Sequence, residues 1–385
     1  MSLRIAITTA LPWIILPPIA LLRVARSRSL DEESDALPDP APSISLIVPA
    51  RNEERNIGRC LRSVLDTSYP SLEVIVVDDH SHDNTARIAR DFAALNERVR
   101  VLESPPLPTD WFGKQWACAT GAAAAHGDLL LFIDADTWHA RDLLPRALHA
   151  MGTRRADLLS VAGRQETHSF WERLVQPQVL WMLLARYGGT EGINRARHAS
   201  SVIASGQFLL VRRAAYYAVG GHEAVRGKVA EDLALGQRFF KRGYRVAMVL
   251  GGDKLRTHMY ASLSELVSGW GKNMYAGGID AMPGGAAGRA LFPVVLLIAP
   301  LMIVTPALAL LLALVGLLGT SWLAWSIVCV ASGVLWWGFI YRGFDQSAWY
   351  SLLHPVGGMV VLYIVARSIV RGRRVAWKGR EYVTQ

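Results

Sequence analysis

The stretch DLLLFIDAD, residues 128–136, carries five apolar residues, Leu129 to Ile133, into two carboxylates one residue apart, Asp134 and Asp136. A short continuous apolar run bounded by polar residues reads as a strand buried on both faces. Two like charges at its end repel each other and resist burial. A fold keeps them there beside a divalent cation or a set of helix N-termini, or simply in water. The neighbouring segments decide among these.

Three earlier stretches repeat the pattern. SISLIVPA (43–50), LEVIVVDD (72–79) and RVRVLES (98–104) are apolar strand-like runs. They alternate with segments of helical periodicity at 51–66, 84–96 and 113–126. Apolar strands alternating with helices predict a parallel, doubly wound α/β sheet. Ligands of such sheets bind outside the carboxyl ends of the strands. Those ends carry Arg51, Asn52 and Glu53, then Asp78, Asp79 and His80, then Asp134 and Asp136. Polar groups from separate strands therefore converge on one edge, which a merely solvated rim does not require.

The rest of the 385 residues is unusually apolar, with 51% hydrophobic residues and a mean hydropathy of +0.23. The excess lies in blocks at about 4–22, 291–341 and 349–370, the second long enough for two spans at about 20 residues each. RVARSRS, not a small-residue cleavage site, follows the first block, so it reads as an anchor rather than a signal peptide. The net charge of +9 follows from basic clusters flanking these blocks: Arg23, Arg26 and Arg28, then Arg367, Arg371, Arg373, Arg374, Lys378 and Arg380. That is the positive-inside pattern, also suited to anionic lipid. No nucleic-acid-binding signature accompanies the charge. Cys60, Cys118 and Cys329 form neither a zinc motif nor a disulfide framework, which fits a reducing cytosol.

The expected organisation is an anchor at 1–24, an acidic, Pro-rich linker at 25–42, a globular domain at 43–260, an interfacial segment at 261–290, about three membrane helices over 291–370 and a basic tail at 371–385. Arg23 to Arg28 place the globular domain in the cytoplasm of an integral inner-membrane protein. Three later spans then carry the basic tail outside, whereas the same rule puts it inside. A re-entrant block or a different number of passes resolves the conflict, and Pro300 and Pro306 suit a broken helix there.

The segments SLIVPARNEERNI, VIVVDDHSHDNT, GKQWACATGAAAAHGDLLLFIDADT and GGHEAVRGKVAEDLALGQRFFKRGYRV stand in the order found in glycosyltransferase family 2. Residues 43–260 resemble its GT-A nucleotide-sugar (Rossmann-like) domain, here flanked by N- and C-terminal transmembrane helices. PPLPTDWFGKQWA resembles the hopanoid-associated and carotenoid-type membrane members, and AWKGREY the tail of membrane-bound members.

The resemblance implies a donor site. Asp136 is the direct ligand of Mg²⁺ or Mn²⁺, and Asp134 faces ribose or metal-bound water. Asp78, with Asp79 beside it, lies near the base and ribose. Pro49, Ala50, Arg51 and Glu53 form the nucleotide-edge loop, with Arg51 toward the diphosphate. Lys114 starts a helix against the dipole, a cost that a bound diphosphate removes. In the pair Glu231–Asp232, Asp232 is the general base; one base and in-line displacement imply inversion.

Gly206 and Gln207 line the acceptor side. His258 is either a third metal ligand or structural. Trp270 and Lys272 lie where processive members carry a Gln/Arg-x-x-Arg-Trp motif that this chain lacks. They either replace it in part or mark a helix at the bilayer surface. Residues 169–189 form either an amphipathic interface helix or a core helix.

The expected activity is transfer of a sugar from a nucleotide sugar, a UDP-sugar first, to a lipid acceptor of hopanoid, carotenoid or other type. No nucleic acid or protein partner is implied. A polysaccharide synthase is one alternative, disfavoured by the missing processive motif. A non-catalytic nucleotide-sugar-binding membrane protein is the other, disfavoured by Asp136 and Asp232.

Overall fold

A computed structural model describes residues 3–279, 282–377 and 380–383. Lys378, one of the basic residues flanking the apolar blocks, lies outside them. The chain forms two compact units. Ser27–Glu166, Thr190–Met259 and Arg373–Gln385 make one; Met1–Arg26, Thr167–Gly189 and Tyr260–Gly372 make the other.

The first unit is built on strands β1 (Ile44–Ala50), β2 (Leu72–Asp78), β3 (Val99–Glu103), β4 (Leu129–Ile133), β5 (Thr137–His139), β6 (Leu158–Ala162), β7 (Arg164–Gln165), β8 (Phe208–Arg212), β9 (Val246–Leu250), β10 (Leu255–Thr257), β11 (Arg374–Trp377) and β12 (Arg380–Val383). Seven of them form one sheet in the order β3-β2-β1-β4-β8-β6-β9. β1, β2, β3 and β4 are mutually parallel, as the continuous apolar character of β1, β2 and β4 predicts; β3, VRVLE, is the half-exposed edge strand. Successive residues go to opposite faces: Leu46, Val48 and Leu131 enter one core with Ile57 and Leu61, while Ile47, Leu130 and Phe132 enter the other with Ala117, Leu235 and Phe239. This period of two lets helices cover both faces.

The sheet is not parallel throughout. β8 runs antiparallel to both β4 and β6. An apolar run such as FLLVR reports burial on both faces and carries no information on direction, so the sequence pattern was blind to this reversal. The helix expected from residue 51 starts at Ile57. Residues before it turn instead, with Asn52 in the left-handed region at φ 52°, a conformation that asparagine tolerates better than most residues.

The second unit contains helices Leu3–Val24, Phe170–Tyr187, Leu263–Gly278, Gly285–Leu314, Thr320–Gly343 and His354–Arg371. Three helices, Gly285–Leu314, Thr320–Gly343 and Ala348–Arg371, are long and apolar enough to cross a membrane, and Thr8–Val24 is a shorter apolar helix. Large apolar side chains such as Leu291, Leu311 and Leu314 are exposed, the expected surface of a helix that meets lipid rather than water.

No break occurs at Pro300 or Pro306. Gly285–Leu314 stays one helix through Pro293, Pro300 and Pro306; each proline removes one donor, a loss that neighbouring helices make tolerable in apolar surroundings. Phe170–Tyr187, the segment read as an interface or core helix, packs within this unit. Its buried Gln178 amide donates to Tyr341 Oη at 3.0 Å and to the His354 carbonyl at 3.0 Å, and Tyr341 Oη donates to the Leu174 carbonyl at 2.7 Å.

Leu131 lies fully buried in the middle of β4. Leu131→Ala is expected to destabilise the first unit by about 2–5 kcal/mol, the cost of a core cavity, read as a lowered thermal unfolding midpoint of the detergent-solubilised chain.

Candidate active site

The carboxyl ends of β1 and β2 are locked to each other. Ala50 pairs with Asp78 in register, and the Asp79 amide donates to the Ala50 carbonyl at 2.8 Å. Both following loops use left-handed residues, Asn52 at φ 52° and His80 at φ 53°. The Asn52 amide donates to Ser81 Oγ at 3.0 Å, and the His82 amide donates back to Asn52 Oδ1 at 2.9 Å. The Glu53 amide donates to Thr85 Oγ1 at 2.7 Å. The buried Arg51 guanidinium donates to the Asp79 and His80 carbonyls, so it braces the loops. Asp83 caps the turn by accepting from the Thr85 amide at 3.0 Å, and Glu54 accepts from the Asn84 amide at 3.2 Å rather than serving its own helix.

Within this frame Asp78 and Asp79 are buried. Asp78 Oδ2 accepts from the Ser81 amide at 3.3 Å, while Asp78 Oδ1, Asp79 Oδ1 and Ser104 Oγ have no polar partner among the described residues. Ser104 follows β3, and its amide donates to the Asp78 carbonyl at 2.9 Å. Buried polar atoms are nearly always paired, so three orphaned oxygens at adjoining strand ends mark a place made for something else.

A second cluster surrounds Lys114, on the first turn of helix Gly113–Ala123. Lys114 Nζ sits 2.8 Å from Asp134 Oδ1 and 2.8 Å from Glu231 Oε1. Burial pulls its ammonium pKa down, but Asp134, Glu231 and Asp232 outweigh burial and hold it well above the usual lysine value. Asp232 starts helix Glu231–Lys241 beside Glu231. Its Oδ2 accepts from the Gly206 amide at 2.7 Å and its Oδ1 from the Leu233 amide at 2.7 Å. Burial, then the Glu231 charge, pushes the Asp232 carboxyl up to about 6. A Cβ at Gly206 would lie 2.8 Å from Lys114 Nζ, so glycine is what allows the chain to pass this close to the ammonium.

Asp136 is the third element. Burial, then Asp134 and Glu53, raises its carboxyl to about 8, and its Oδ1 has no polar partner among the described residues. β5 and β10 pair antiparallel with Thr137 opposite Thr257; Asp136 precedes the one strand and His258 follows the other. No group of three His, Cys, Asp or Glu side chains among the described residues is arranged to hold a metal by itself. An orphaned carboxylate whose charge is opposed by burial and by neighbouring carboxylates does fit a divalent cation that takes its remaining ligands from phosphate oxygens.

The model of glycosyl transferase family 2 matches residues 45–220. The matched segment is similar to a family 2 glycosyltransferase domain. The chain is 28% identical over 353 residues to a 4,4'-diaponeurosporenoate glycosyltransferase of Staphylococcus aureus (strain bovine RF122 / ET3-1), covering 88% of each chain. It is 30% identical over 240 residues to the protein of that name from strain USA300, covering 61% of each. Among solved structures, mannosyltransferase PcManGT from Pyrobaculum calidifontis, in complex with GDP-Man and Mn²⁺, is similar in fold. The TM-score is 0.52 at 20% identity, with 96% of this chain and 98% of that chain covered.

The glycosyltransferase brings most of its sequence-predicted site residues into one unit: Pro49, Ala50, Arg51, Glu53, Asp78, Asp79, Lys114, Asp134, Asp136, Gly206, Gln207, Glu231, Asp232 and His258. Gln207 is a brace, its Oε1 accepting from the Gly163 amide at 2.8 Å. Trp270 and Lys272 belong to the other unit, on helix Leu263–Gly278. Trp270 is buried there with its ring edge-on to Tyr260 at 6.2 Å. Ser104 was missed, although the strand-end rule that picked out Asp78 applies equally to the residue after β3.

Lys114 is the cation between Asp134 and Glu231. Lys114→Met is expected to destabilise the chain by about 3 kcal/mol, because it leaves close carboxylates uncompensated. Adding Glu231→Gln should recover part of the loss in the same thermal unfolding measurement.

Proposed function

We propose that the protein transfers a sugar, with inversion, from a nucleoside diphosphate sugar, a UDP-sugar first, to a lipid acceptor of carotenoid or hopanoid type at the cytoplasmic face of the membrane. The carrying observation is Asp232, a carboxylate raised to about 6 and fixed by the Gly206 amide at 2.7 Å, beside the lysine that holds Asp134 and Glu231. A base with a pKa near working pH is suited to taking a proton.

Each residue has a task in this reading. Asp78 and Asp79 offer unpaired oxygens to the N–H and O–H groups of a nucleoside. Asp136, with His258, would hold a divalent cation, whose chemistry is to neutralise the charge gathering on the departing diphosphate. Lys114 keeps a positive charge at the strand ends where the diphosphate lies. Asp232 accepts the acceptor hydroxyl's proton as that oxygen attacks the anomeric carbon opposite the diphosphate. The new C–O bond forms as the old one breaks, and configuration inverts. The lipid acceptor is supported by the three long apolar helices and by relatives named for 4,4'-diaponeurosporenoate. The cation is supported by the orphaned Asp136 and by Mn²⁺ in the fold neighbour.

The assay incubates membranes containing the protein with Mn²⁺, labelled nucleotide sugars and a total bacterial lipid extract. Wild-type protein is expected to move label into the organic phase. Asp232→Asn should keep donor binding and lose about 10²-fold or more in turnover; near-normal turnover excludes Asp232 as base. The wild-type rate should fall as pH drops through about 6, where the Asp232 carboxyl takes up its proton, at up to tenfold per pH unit. A rate flat down to pH 4.5 contradicts this. Asp136→Ala should make donor affinity indifferent to EDTA, while wild-type affinity falls when EDTA is added.

A further inference from the structure

Residues 371–385 read as a basic tail, with Arg380 one of several charges following the last apolar helix. The structure gives Arg380 a specific position. β11 and β12 pair as an antiparallel hairpin, Arg374 opposite Val383 and Trp377 opposite Arg380, within the same compact unit as the seven-stranded sheet. Arg380 Nη1 donates to Asp79 Oδ2 at 2.7 Å. The pair is well shielded, with side-chain exposures of 23% and 2%. The Tyr382 ring lies against the Phe112 ring, centroids 4.2 Å apart, and its hydroxyl accepts from the Gly113 amide at 3.4 Å. A Cβ at Gly113 would fall 2.2 Å from Asp79 Oδ2 and 2.7 Å from Arg380 Nη1. The hairpin thus touches the end of β2 and the start of the helix that carries Lys114.

Two features separate this contact from an incidental surface ion pair. The carboxylate it meets is buried, and a buried carboxylate needs a partner. The opposite oxygen of that carboxylate, Asp79 Oδ1, has no polar partner among the described residues, and neither have Asp78 Oδ1 and Ser104 Oγ at the adjoining strand ends, so Arg380 grips one oxygen and leaves the other for a ligand that brings hydrogen-bond donors. A nucleoside brings them, but it arrives with a diphosphate. Asp78 and Asp79 repel that anion unless a cation offsets them, and Arg51 is committed to backbone carbonyls.

We propose that the β11–β12 hairpin is a wall of the nucleotide subsite. Arg380 is a positioning residue that offsets the charge of Asp79 and fixes which of its oxygens faces the nucleoside, while Tyr382 and Phe112 hold the hairpin against the helix start. This rests on the reading of Asp78 and Asp79 as donor ligands.

The test measures UDP and GDP affinity, with Mn²⁺, by calorimetry on the full detergent-solubilised chain. Arg380→Ala is expected to weaken binding of the preferred diphosphate about tenfold, the scale of one charge-assisted contact, and to lower the unfolding midpoint because it leaves Asp79 uncompensated, with Arg380→Lys recovering most of both. Unchanged or tighter binding by Arg380→Ala overturns the proposal while leaving the donor site standing. A wild-type chain that binds neither diphosphate removes the donor-site reading and the hairpin's role together. Amide exchange on the unmutated chain gives an arm independent of folding: diphosphate should slow exchange in residues 380–383 and 112–113, and no change there overturns the proposal.

Discussion

One ammonium organises the carboxylate-rich edge of the sheet. Lys114 reaches Asp134 and Glu231 at 2.8 Å each, and so ties the end of β4 to the start of helix Glu231–Lys241, nearly a hundred residues further along the chain. Without it, carboxylates from two elements would meet in poorly solvated space with nothing to offset them. With it, Asp232 is held beside a compensated pair, and its own raised pKa comes from burial and from Glu231 rather than from exposure to unbalanced charge. The lysine's place at a helix start, unfavourable in isolation, makes sense only through these partners.

The site combines rigidity with unmet demand. The β1 and β2 loops are cross-braced through Asn52, Ser81, Arg51 and Thr85, with two non-glycine residues in the left-handed region. Such conformations persist only where the surroundings over-determine them. Against this fixed frame Asp78, Asp79, Ser104 and Asp136 each keep an oxygen without a polar partner among the described residues. Preorganised groups of this kind need not rearrange when a ligand arrives, which is how binding sites limit the entropic cost of association.

Much of this was legible in the sequence because burial leaves a local trace. Runs such as LEVIVVDD and DLLLFIDAD showed both the strands and their acidic ends, and the rule that ligands gather at carboxyl ends did the rest. What escaped has a common cause. The reversed direction of β8, the packing of Phe170–Tyr187 with the apolar helices, and the helix that runs unbroken through Pro300 and Pro306 all depend on tertiary neighbours, which hydropathy does not encode. Arg380 meets Asp79 across 301 residues of sequence; beside an apolar helix, topology alone was reason enough for an arginine.

The order of segments along the chain sets a timetable. β11 begins at Arg374, just after the helix that ends at Arg371, so the ribosome makes the hairpin only after all three long apolar helices. Until then Asp79 lacks the Arg380 guanidinium, even in a nascent chain whose sheet has already folded. A polypeptide stalled before its last long helix is made therefore has the sheet that carries Asp79 but not the arginine that offsets it.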